Sequence, residues 1–120
     1  MIKTLIAVAA QAALCAATSI KLEDNSFTLT IFADKDCAGI TTSVTGGDSP
    51  DALALDDLEL LGYADNTAVS VKVPSCWYMV YYDDDEWNYE LEGVVGNDDS
   101  CVNLSNPNEL SSIIMWNKGC

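Results

Sequence analysis

The sequence predicts an all-β domain: an antiparallel β sandwich of two Greek-key motifs, with one short helix in a connecting loop. Three observations carry that prediction. Polar and apolar residues alternate with period two in several short runs, the spacing of a strand with one buried face. Clusters of Asp, Asn and Gly separate those runs, as turns require. A strand-corner-strand pattern at 29–44 returns at 80–94, and each copy is followed by a serine-bearing strand. The chain thus repeats itself in halves of about 45 residues, four short strands to each.

The first residues stand outside this pattern. Met1 to Lys3 is a short cationic start, followed from Thr4 to Ala17 by an apolar, alanine-rich run. At about 14 residues the run falls short of the ~20 that span a bilayer as a helix. Small residues close it, with Cys15 and Ala17 placed where signal peptidase cuts. Residues 1–17 therefore read as a secretory signal peptide and residues 18–120 as the folded domain, with motif one at about 26–73 and motif two at about 76–120.

Within the domain, Ser26 to Ile31 alternates as a first strand. Asp34, Lys35 and Asp36 turn a corner, and the return strand runs past Val44 to a turn at Gly46 and Gly47. Ser49, Pro50 and Asp51 then supply an N-cap, a proline at the first helical position and an acid in the first turn. With Leu53, Leu58 and Leu61 recurring up to Gly62, this predicts the short helix. Val69, Val71 and Val73 alternate with Ser70 and Lys72, and Trp77 to Tyr82 is an aromatic-rich strand. Trp87, Tyr89 and Leu91 alternate with Asn88, Glu90 and Glu92 as a further strand. Gly93 and the Gly96 to Asp99 cluster turn the chain, and Ser111 to Trp116 is the last strand. Trp77, Trp87 and Trp116 are expected in core and corner packing.

Charge and composition exclude several functions. Nineteen acidic residues face five Lys or Arg, with no histidine, for a net charge of −14. Phosphate binding rests on clustered Lys and Arg, so nucleic acid is excluded as a partner, as is docking on an anionic membrane. Without histidine there is no Ser-His or Cys-His nucleophile and no His-ligated zinc. Asp83 to Glu86 lacks the glycine and the twelfth-position ligand of an EF-hand and reads as a solvated acidic corner. Paired carboxylates can always be picked from so many acids, so they do not argue for an enzyme. Signal removal takes Cys15 and leaves Cys37, Cys76, Cys101 and Cys120. Four cysteines in a small secreted chain form two disulfides, with three connectivities open. Asn103, Leu104 and Ser105 form the one glycosylation sequon, of consequence in a eukaryotic host.

Two corners resemble the first signature of the βγ-crystallin family: an aromatic, four residues, an aromatic, one residue and a glycine. The first runs from Phe32 to Gly39 with Cys37 in place of the second aromatic. The second runs from Tyr82 to Tyr89 with Trp87 as the second aromatic and Tyr89 in place of the glycine. The Val71 to Trp77 junction is similar to the family's link between motifs, and the likeness covers nearly all of residues 18–120. The family's second signature is a calcium motif of two Asn/Asp, two residues, Ser/Thr and Ser. It is matched by Asp65 to Ser70, where Val69 lacks the hydroxyl, and by Pro107 to Ser112, where Pro107 replaces the first polar residue.

The resemblance implies calcium sites shared between the motifs. The better one would use Ser111, the Glu109 carbonyl and Asn66, with help from Asp83. The other would use Asn108 and the Thr67 carbonyl but lacks its hydroxyl at Val69. Oxygen ligands suit Ca²⁺, and extracellular modules bind it at roughly 10⁻⁴–10⁻³ M. The resemblance also implies the disulfides Cys76–Cys120 and Cys37–Cys101. The function it implies is non-enzymatic: a secreted, disulfide-stabilised, weakly calcium-binding protein with a structural or protective extracellular role, whose partners are calcium and an extracellular protein. Secreted relatives open an alternative, a killer-toxin-like or antimicrobial protein acting on a protein target, or a proteinase inhibitor.

Overall fold

The computed structural model describes residues 26–97 and 100–120; the signal-peptide assignment to 1–17 lies outside them, as do Asp98 and Asp99. The chain runs β1 (Ser26–Asp34), β2 (Ala38–Gly47), β3 (Asp51–Leu53), α1 (Leu55–Leu60), β4 (Ser70–Lys72), β5 (Trp77–Tyr82), β6 (Glu90–Val95), β7 (Val102–Asn103) and β8 (Ser112–Asn117). These form two antiparallel four-stranded sheets, ordered β2-β1-β4-β7 and β3-β8-β5-β6. Each motif gives its third strand to the other's sheet: β3 pairs with β8 and β7 with β4.

The period-two pattern does what it predicts. Phe27, Leu29 and Ile31 of β1 point inward, while Thr28 stays exposed. From the other sheet Trp77, Met79 and Tyr81 of β5 face them, and the Phe27 and Trp77 rings lie 4.8 Å apart at 54°. Trp116 departs from the expected packing: it stands on the outer face of β8, 42% exposed.

Two local expectations are corrected. Ser49 does not cap a helix. The Ser49–Pro50 peptide is cis and Asp51 opens β3, which pairs with Met115 to Ile113 on β8. The Asp51 carboxylate accepts the Gly47 N–H at 3.0 Å. Sheet pairing thus claims the residues that read as a helix start. The helix begins five residues later, with Ala54 as N-cap and its N–H donating to Asp57. Only Leu58 of its apolar residues is fully buried; Leu60 is 87% exposed. Trp87 is likewise not in a strand. It sits in the corner at φ +64° and β6 starts at Glu90. Its indole N–H donates to the Ile113 carbonyl at 2.9 Å, which holds the ring against β8.

The internal repeat has a physical counterpart in the corners. In the first, the Ser70 hydroxyl accepts the Cys37 N–H at 2.9 Å and donates to the Asp34 carbonyl at 2.6 Å. In the second, the Ser112 hydroxyl accepts the Trp87 N–H at 3.2 Å and donates to the Asp84 carbonyl at 2.7 Å. Both serines are fully buried, and both donating amides belong to residues at positive φ, Cys37 at +56° and Trp87 at +64°. A corner bent that sharply cannot satisfy its own backbone, so a hydroxyl from the motif's last strand completes it. The second corner also has Asp84, whose carboxylate accepts the N–H groups of Glu86, Asn88 and Tyr89 and the Asn88 amide. Desolvation pushes the Asp84 carboxyl up, but these donors outweigh it and hold it below its ordinary value.

Two disulfides join Cys37 to Cys101 and Cys76 to Cys120, the two pairs that the resemblance implies. They close loops with separations of 64 and 44 residues, each worth roughly 4 kcal/mol in the loop-entropy model.

A third tie fastens the loop after β7. The Glu92 carboxylate accepts the Tyr81 hydroxyl at 2.6 Å and the N–H and O–H of Ser105 at 3.1 and 2.8 Å. Tyr81 is pushed up to about 12, first by burial and then by Glu92. Desolvation raises the Glu92 carboxyl too, but the three donors win and its value falls below the ordinary 4.5.

Ser70→Ala and Ser112→Ala each orphan a buried amide and carbonyl. Each should destabilise the oxidised protein by about 1–3 kcal/mol in denaturant unfolding. Glu92, depressed in the folded state, stabilises fully above its unfolded value of 4.5, and that stability is lost as pH falls through the lower folded value. Melting curves from pH 7 to 2 should therefore show Glu92→Gln less stable at neutral pH, with a shallower decline in acid.

Candidate functional site

The site is built where the loops before β4 and before β8 cross. Each loop turns on an asparagine in the left-handed region, Asn66 at φ +61° and Asn108 at +65°, a conformation Asn tolerates through its short polar side chain. The turns let the loops bond reciprocally. The Asn66 N–H donates to the Leu110 carbonyl at 3.4 Å, and the Asn108 N–H donates to the Ala68 carbonyl at 2.8 Å. One residue beyond each accepting carbonyl, the Val69 N–H reaches the Phe32 carbonyl and the Ser111 N–H reaches the Tyr82 carbonyl, both at 2.8 Å. Each loop is thereby tied to the first aromatic of its own motif's corner. Beneath the crossing, the Tyr63 hydroxyl donates to the Leu110 carbonyl at 2.5 Å and accepts the Ala68 N–H at 3.4 Å. Burial pushes that hydroxyl up to about 12.

The backbone is nearly two-fold symmetric here, but the side chains are not. On one side the Ser111 hydroxyl lies 2.6 Å from Asp65 Oδ1 and 3.4 Å from Asn66 Oδ1. Ser111 is 3% exposed, while Asn66 faces solvent. On the other side Val69 stands where Ser111 stands, and Pro107 where Asp65 stands. Asn108 alone keeps its polar group there, and Thr67 donates its hydroxyl to the Ala64 carbonyl at 2.6 Å.

Of the expected ligands, Asn66 and Ser111 come together. Asp83 lies next to Tyr82 in the chain, its N–H donating to the Tyr89 carbonyl; among the described residues no hydrogen bond links its carboxylate to Ser111. Glu109 and Asn108 are exposed in the second loop. Asp65 is the residue the sequence reasoning left without a role. Its signal was present, since it holds the first polar position of its motif. Among the described residues no three His, Cys, Asp or Glu side chains gather as a metal cluster. The crossing instead offers three hard oxygens, from one carboxylate, one amide and one hydroxyl. That chemistry fits Ca²⁺ and would not hold a soft metal.

Asn103, the acceptor of the glycosylation sequon, lies in a strand. It is in β7, its side-chain amide N–H donating to the Asp36 carboxylate at 3.1 Å and its Oδ1 accepting the Asp36 N–H at 2.9 Å.

Sequence comparison finds no matching family model and no matching curated protein. The fold does find relatives. The chain is similar to the N-terminal domain of protein S, 26% identical, with 78% of this chain and 99% of that chain covered at a TM-score of 0.65. It is similar to a βγ-crystallin domain from Clostridium beijerinckii at 18% identity, 75% and 98% coverage and TM-score 0.59. A βγ-crystallin domain from Flavobacterium johnsoniae matches at 22% identity, 77% and 97% coverage and TM-score 0.57. Two Greek keys with exchanged third strands and serine-stapled corners define a βγ-crystallin sandwich. The chain has the βγ-crystallin fold.

Proposed function

We propose that the chain is a secreted, disulfide-stapled domain that binds one calcium ion weakly and serves a structural or protective role outside the cell, without enzymatic activity. The observation that carries the reading is the Ser111 hydroxyl held against Asp65 and Asn66 across the loop crossing. Asp65, Asn66 and Ser111 would hold the ion, and Ca²⁺ would supply a cross-link between the motifs. One carboxylate among the ligands favours affinity at the weak end, roughly 10⁻⁴–10⁻³ M. Two disulfides suit an oxidising compartment, and the net charge of −14 keeps the particle soluble and draws cations to it. Val69 and Pro107 leave the opposite side without a hydroxyl or a carboxylate, so the stoichiometry is one.

Calorimetric titration of the oxidised protein with CaCl₂ is expected to show one saturable site, abolished by Ser111→Ala and weakened by Asp65→Asn. At tenfold the dissociation constant, calcium should add about 1.4 kcal/mol to stability, read as a higher melting point that chelator reverses. Neither heat nor a melting shift up to ~10 mM, well above the expected range, would remove calcium from the reading.

A further inference from the structure

The four sheet edges differ in their protection. β3 is three residues long and opens with Asp51, β7 has two residues, and β6 carries Glu90 and Glu92. Shortness and charge are the usual defences against unwanted strand pairing. β2 has neither. Its ten residues, Ala38–Gly47, hold no charged side chain and no proline, in a chain whose net charge is −14. β2 stands at the outside of its sheet, paired with β1 at Ala38 and from Thr41 to Gly47, with a register shift at Gly39 and Ile40. Beyond the Gly47 N–H that Asp51 takes, no described residue outside that ladder hydrogen-bonds to its backbone.

A second feature lies beside this edge. A cavity of about 100 Å³ opens between Ile31 and Phe32 of β1, Ile40 and Thr42 of β2, and Tyr63 and Ala64. Its lining is mainly apolar, and Ile40 is 81% exposed. Leu61, next in the chain to the lining residue Gly62, is 43% exposed. Acids flank the neutral strand at both ends: Asp34 and Asp36 precede it, with Lys35 between them, and Asp48 and Asp51 follow it.

We propose that β2 is a docking edge for an extended, basic segment of another protein. The segment adds as a fifth strand, seats one aliphatic side chain in the cavity beside Ile40, and places Lys or Arg near the aspartates at the strand ends. In such strand addition the main chain supplies affinity, while pockets and charges supply specificity. Charge selects the partner over a second copy of this chain, which would bring the same net charge of −14 and the same aspartates against one another.

The test uses the full oxidised chain and a synthetic peptide of about eight residues, alternating threonine with valine and ending in lysine at both ends. The same peptide ending in glutamate is the control. Fluorescence anisotropy is expected to show saturable binding of the basic peptide alone, weakening with salt. Amide exchange should slow at the β2 residues whose N–H groups point away from β1. Ile40→Asp, at a solvent-exposed position, should leave the melting point unchanged and weaken binding about ten-fold or more. No binding, equal binding of both peptides, an unaffected Ile40→Asp variant or protection outside β2 would each overturn the proposal. So would protection, without peptide, of the β2 amides that point away from β1: in a dimer, the occupant is a second copy; in a monomer, the chain covers its own edge.

Discussion

Everything in this molecule depends on the exchange of third strands between the motifs. A motif that kept its own third strand would be a self-sufficient sheet, and the two halves would meet as separable bodies. With β3 carried to β8 and β7 carried to β4, neither sheet is complete until both halves are present. The apolar faces of β1 and β5 then have one way to be buried, against each other. The exchange also brings the two connecting loops past one another, and the reciprocal bonds of Asn66 and Asn108 follow from that crossing. The candidate cation site is therefore a by-product of the topology, because its oxygens come from loops that meet only when the exchange is made.

The covalent ties reinforce the same arrangement unequally. Cys37–Cys101 runs from the first motif's corner to the residue before β7, so it pins the exchanged strand that is shortest. Asn103 and Asp36 bond across the same spot. β3 has no such bridge and is held by its ladder with β8 and by Asp51 on Gly47. The side chains at the crossing are similarly unequal, three oxygens gathered at Ser111 and an apolar valine at Val69. A nearly two-fold backbone thus carries an asymmetric chemistry.

Much of this was legible in the sequence where periodicity and burial coincide. The alternation in β1 and β5 reports one buried face, and the repeat of corner and serine strand reports two equivalent motifs whose hydroxyls prove to be staples. What was not legible depends on partners distant in sequence. Asp51 to Leu53 has no strand signal of its own and becomes β3 because Ile113 to Met115 offers an edge. Trp87 alternates correctly for a strand and also fills the corner's second aromatic position; its partners there, Ser112 for the amide and the Ile113 carbonyl for the indole, are what the sequence did not show. Asp84 looked like one acid in a solvated run, and only the folded corner aims three backbone N–H groups at it. Asp65 was visible as a motif position, but its role requires knowing that Ser111 lies across the crossing.

The Cys37–Cys101 bridge also decides how the molecule would behave under tension. A pull applied between Ser26 and Cys120 reaches the bridge after β1 and its corner, passes through sulfur to residue 101, and leaves along β7 and β8. The backbone from Ala38 to Ser100 lies inside that covalent short circuit and is shielded from the load, with β2, β3, α1 and β4 to β6 on it. Stretched at those points, the domain can lengthen only by its first dozen described residues and its last twenty or so, about the reach of a short tether. Its reach is capped at about a third of the described chain's so long as its cysteines stay oxidised, and reduction would free the whole chain to extend.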